Sequence, residues 1–103
     1  MSDEPYTFAG KVIGRLTADG TLVQNRGSDH LLRSVQGFAL ASLVVHDPRV
    51  VRVETHWKGR TYTVTTAYWK RHGKPWRNGA ERQLALPLVA MVGKDASQET
   101  LEI

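Results

Sequence analysis

Between Arg49 and Trp69 the chain reads RVVRVETHWKGRTYTVTTAYW, two runs rich in β-branched and aromatic residues that meet at Lys58-Gly59. A glycine in a two-residue connection accepts positive φ at little cost, so this stretch predicts a β-hairpin. The turn fixes the register: Val53 falls opposite Val64, Thr55 opposite Tyr62 and Val51 opposite Thr66, which makes one face mostly apolar. The other face then carries Arg52, Glu54 and His56 opposite Thr65, Thr63 and Thr61, with Trp69 further along the same side. A chain that contains this hairpin has to cover one of its faces, and the remaining segments are read for what could do so.

Upstream, YTFAGKVIGRLTADGTLVQ holds two short apolar runs around TADGT, where Asp19-Gly20 suits a second hairpin. Gly10 and Gly14 weaken a strand unless they mark bulges or the close approach of another backbone. In NRGSDHLLRSVQGFALASLVVHDP, Leu31, Val35, Phe38, Ser42 and Val45 fall at helical spacing, widened by Leu32, Ala39 and Leu43. Ser28 or Asp29 can cap such a helix and Pro48 can end it, although Gly37 would cost about 1 kcal/mol inside. Downstream, QLALPLVAMVG resumes as a strand, placed at an edge or a bulge because Pro87 cannot donate a ladder hydrogen bond. The predicted order is ββαβββ. It implies an α+β fold, an antiparallel sheet of about five strands with one main helix packed on one face.

A chain of 103 residues is expected to form a single domain over 1–103, with 1–5 and 95–103 as flexible tails. The absence of cysteine removes disulfides, thiolate zinc sites and thiol nucleophiles. The start MSDEPYTFAG lacks the basic-then-apolar pattern of a secretory signal, so a cytoplasmic address is expected. The most apolar window, Gly37 to His46, is about half the ~20 residues a spanning helix needs, and no membrane association is expected. Neither GxxxxGK nor GxGxxG occurs, no serine sits in a nucleophile elbow, and no paired carboxylates suggest glycosidase chemistry. No cofactor, metal site or catalytic residue is assigned.

Charge is the informative quantity. Residues 49–82 carry nine Lys/Arg against two Asp/Glu, whereas the segments on either side are each slightly acidic. The same third of the chain holds all three tryptophans. Cations interleaved with aromatic rings bind nucleic acid, the cations on phosphates and the rings stacked on bases. The sequence therefore predicts a small basic nucleic-acid-binding protein that contacts single-stranded or structured DNA or RNA. The candidate site is Arg52, Lys58, Arg60, Trp69, Lys70, Arg71, His72, Lys74, Trp76 and Arg77. Tyr62 and Tyr68 point to the apolar face by the hairpin register and are assigned to the core.

Two other readings use the same residues. An interaction or regulatory module, including a homodimer, could use the open sheet face or the apolar strand LALPLVAMV. A metal-independent ribonuclease could draw acid and base from His56 and His72 and phosphate contacts from Arg60 or Arg71. On so polar a face, however, a His/Glu/Arg grouping reads first as solvated strand surface. His46, beside Asp47, reads as a histidine at a helix C-terminus, where a positive charge is favoured, and not as a metal ligand.

Overall fold

The structure is a computed structural model that describes residues 3–8, 10–25, 33–34, 37–57, 60–75, 83–87 and 100–101. In chain order its elements are β1 (Glu4–Phe8), β2 (Lys11–Leu16), β3 (Thr21–Gln24), β4 (Arg33–Ser34) and β5 (Gly37–Ala41). There follow α1 (Ser42–Val45), β6 (Arg52–Trp57), β7 (Arg60–Thr65), α2 (Thr66–His72), β8 (Lys74–Pro75), β9 (Gln83–Pro87) and β10 (Thr100–Leu101). The fold is α+β. Strands β1-β2-β3-β6-β7 form the five-strand body of one sheet, to which the two-residue β10 adds an edge, and β4-β5-β9-β8 form a second.

The hairpin of β6 and β7 has the register its sequence dictates, with Val53 on Val64, Thr55 on Tyr62 and Trp57 on Arg60. That last pair leaves Lys58 and Gly59 as the connection, and both lie outside the described residues. The inward face, Val53, Thr55, Tyr62 and Val64, is buried, and its neighbours Arg52, Glu54, His56, Thr61 and Thr63 are half-exposed. The Asp19-Gly20 turn likewise joins β2 to β3, with Gly20 at φ +88. Gly14 marks a close approach, since a Cβ there would lie 2.2 Å from the Val23 carbonyl oxygen. A register shift beside it, between Tyr6 and Thr7, is the bulge that the glycines of this segment suggested.

Two expectations are corrected. First, the sheet is mixed: β3 and β6 run parallel, as do β7 and β10. The chain between β3 and β6 passes through the second sheet before returning beside Gly20, whose carbonyl accepts from the N–H groups of Val51 and Arg52. Second, among the described residues, the segment read as the main helix is strand over Gly37–Ala41 and helical over Ser42–Val45. Phe38, Ala39, Leu40 and Ala41 are all buried, and an apolar run buried on both faces has no periodicity to separate strand from helix. Ser28, Asp29, Leu31 and Leu32 lie outside the described residues. At the two ends of the described chain, Glu4–Phe8 pairs with β2 and Thr100–Leu101 pairs with Thr63–Val64.

The two sheets meet where the Phe38 ring packs on Tyr62 at 5.1 Å between centroids. Around that contact the core gathers Ile13, Leu16, Leu22, Val53 and Val64 from the first sheet, Leu40 and Leu86 from the second, and Val44, Val45 and Trp69 from the helices. Pro87 ends β9 opposite Gly37, beyond the stretch that β8 covers, so its missing N–H leaves no gap in the β8–β9 ladder.

Candidate nucleic-acid interface

The basic segment is built on α2. Thr65 caps the helix, its hydroxyl accepting from the Tyr68 N–H at 3.1 Å. Thr66 pins the first turn to the chain entering β6: its N–H and its hydroxyl both donate to the Val51 carbonyl, at 2.9 and 3.1 Å. Gly73 closes the helix, its N–H donating to the Trp69 carbonyl at 2.7 Å. A Cβ at Gly73 would lie 2.6 Å from that carbonyl oxygen, so here the glycine is needed for space. Lys70, Arg71 and His72 occupy the last turn, where cations oppose the negative end of the helix dipole.

This helix overturns the placement of Trp69. Continued as a strand, the alternation puts Trp69 on the polar face. As helix it advances about 100° per residue, so Trp69 follows Thr66 onto the inner side. It is 1% exposed and cannot stack on a base. Its indole Nε1 has no hydrogen-bond partner among the described residues. Tyr68, assigned to the core, is half-buried and packs against it from the rim, with its ring on that of His72 at 4.5 Å.

The remaining candidate residues divide by whether they have a partner. Arg52 is a structural cation: its Nη1 donates to the Thr21 hydroxyl at 3.0 Å and lies 3.5 Å from an Asp19 carboxylate oxygen. Hydrogen bonds from the Thr17 hydroxyl and from Thr21 hold the Asp19 carboxyl below its ordinary range, so this turn keeps a full negative charge beside Arg52. Arg49 is paired with Asp47 at 3.3 Å and Arg15 with Asp3 at 2.7 Å. By contrast Lys70, Arg71 and Lys74 are exposed and form no ion pair among the described residues. A cavity of about 380 Å³ is lined by Arg52 and Lys70 together with Asp47, Val51, Thr65 and Thr66. Lys58, Trp76 and Arg77 lie outside the described residues, and of Arg60 only the backbone, paired with Trp57, is described.

No family model, curated protein or solved structure matches the chain. The geometry alone must therefore carry the reading. His56 sits on the half-exposed face of β6 with Nδ1 3.2 Å from the Thr61 hydroxyl, and His72 lies against Tyr68. Each ring thus has its own neighbour, and no group of three metal-ligating side chains gathers among the described residues. His46 is the C-cap of α1, as the sequence suggested. In the apolar strand proposed for association, Leu86 is buried and Leu84 packs on the core, while residues 88–92 lie outside the described residues. No helix among the described residues is long and apolar enough to cross a membrane.

Proposed function

We propose that this protein binds nucleic acid through phosphate contacts made by Lys70, Arg71 and Lys74, at the end of α2 and on the strand that follows. The observation that carries the reading is the contrast in pairing: Arg15, Arg49 and Arg52 each face a carboxylate, and these three exposed cations do not. An exposed lysine or arginine without an internal counter-ion can exchange its bound solution ions for phosphate oxygens, and release of the displaced counter-ions drives association. The anchors of α2 support the same reading. Thr65 and Gly73 close the two ends of the helix, and Thr66 and Trp69 hold it against the rest of the fold, so Lys70 and Arg71 project from an anchored element. Lys58, Arg60 and Arg77, close in sequence, extend the basic segment. Contacts of this kind follow the sugar-phosphate backbone and do not read base edges in a groove.

The test is fluorescence anisotropy of labelled DNA and RNA, single-stranded and duplex, at low and near-physiological salt. Three phosphate contacts predict that affinity falls more than about tenfold between ~50 and ~200 mM salt. Absence of binding at the lower salt, or binding indifferent to salt, would overturn the reading.

A further inference from the structure

We propose that the Tyr68–His72 ring pair is a platform on which one unpaired base stacks, which makes a single strand, not a duplex, the preferred ligand. The inference rests on the nucleic-acid reading above and names the side chains that would contact a base. The sequence reading drew its stacking rings from Trp69 and Trp76; the structure removes Trp69 from the surface, and Trp76 lies outside the described residues. The described surface nevertheless keeps aromatic area beside the unpaired cations.

Tyr68 and His72 are four residues apart on α2, one turn above the other, with ring centroids 4.5 Å apart and planes inclined at 40°. The lower ring, that of Tyr68, is held by packing against the core. The upper ring, His72, is exposed, and Tyr68 at one side restricts its rotation. A base laid on the open side of His72 would extend this stack, with much of the side-chain ordering already accomplished by the free protein. Arg71 precedes His72 and Lys74 follows it by two residues, both exposed, so cations flank the ring along the chain as phosphates flank a base along a strand. A single strand offers its bases for such stacking, whereas a duplex has to unstack and unpair one first. The competing explanation, a ring pair that only stabilises the helix, predicts no response to the presence of bases.

The experiment compares four ligands of about a dozen nucleotides at low salt: single-stranded DNA, single-stranded RNA, an abasic DNA strand and duplex DNA. The intact single strands should bind about tenfold more tightly than the abasic strand, the scale of one stacked base. His72→Ala should erase that preference while leaving the salt-dependent binding of the abasic strand, and His72→Phe, which retains a ring, should keep it. A stronger effect with RNA or with DNA would support the platform and identify the sugar it accepts. Equal binding of intact and abasic strands, which needs no variant to observe, would overturn the platform and leave phosphate binding standing. A preference that survives His72→Ala would also overturn it. If none of the four ligands bound, both proposals would fall together.

Discussion

The Asp47 carboxylate joins β1 to the turn before β6: it accepts from the Tyr6 hydroxyl at 2.9 Å and from the Arg49 backbone N–H at 3.0 Å, and it pairs with the Arg49 guanidinium. Burial opposes ionisation of Asp47, but the hydrogen bonds from Arg49 and Tyr6 outweigh it and hold the carboxyl below its ordinary range. Burial and then the bond to this carboxylate push the Tyr6 phenol up to about 12. At neutral pH the phenol is protonated in both folded and unfolded chains. Above pH 10 the unfolded chain gives up the proton first, so stability should fall between about 10 and about 12. Tyr6→Phe should cost about 1 kcal/mol near neutrality, the lost hydrogen bond, and should show a shallower alkaline decline in urea titrations. On the acid side the sign reverses. Asp47 contributes stability above its unfolded value of 3.8, and that contribution is lost as pH falls below it, a loss that Asp47→Asn should not show. Gly14 provides a test by volume: Gly14→Ala drives a methyl into the Val23 carbonyl and should lower stability by about 1–3 kcal/mol in the same titrations.

At the level of elements, α2 determines which candidate residues reach solvent. Thr65→Ala removes its cap and should cost about 1 kcal/mol. Trp69→Ala, which a stacking role would make a loss of affinity alone, should instead cost about 3–5 kcal/mol, because the indole is core. Thermal unfolding of both variants checks the order. The β6–β7 register was legible because side-chain alternation and a two-residue turn leave only one pairing that buries Val53, Tyr62 and Val64 together. The helix after it was not, although its punctuation is present: Thr65 as cap, Gly73 as stop and Pro75 beyond. Threonine and aromatic residues favour strands, and TTAYW continues the preceding alternation, so local preference pointed to strand until tertiary packing decided for helix. The reverse happened in GFALA, where apolar residues at helical spacing form β5 because both faces are covered. Tyr68 and His72 went unrecognised as a pair for the same reason, since positions four apart become neighbours on a helix and not along a strand.

For the whole molecule, the fold divides the charge of the central third of the sequence into two groups. Folding sets Arg49 and Arg52 against carboxylates contributed by Asp47 and Asp19, so they act as structural cations. Lys70 and Arg71 remain exposed on α2, which Thr66 ties to the chain entering β6 and Trp69 to the core, and Lys74 is exposed on β8. Sequence composition counts these two groups alike; Arg49 finds its carboxylate two residues away, and the topology, which brings the β2–β3 turn beside β6, supplies that of Arg52. The account predicts that cations of the second group, and not of the first, set the salt dependence of binding. The most direct measurement is the slope of log affinity against log salt for a single-stranded oligonucleotide, with the unmodified protein and with the triple variant Lys70→Ala, Arg71→Ala, Lys74→Ala. Each phosphate contact to a single strand contributes about −0.7 to that slope, so the triple variant should be shallower by about 2 while its circular dichroism is unchanged. A folded triple variant with the same slope and affinity as the unmodified protein would contradict the central claim.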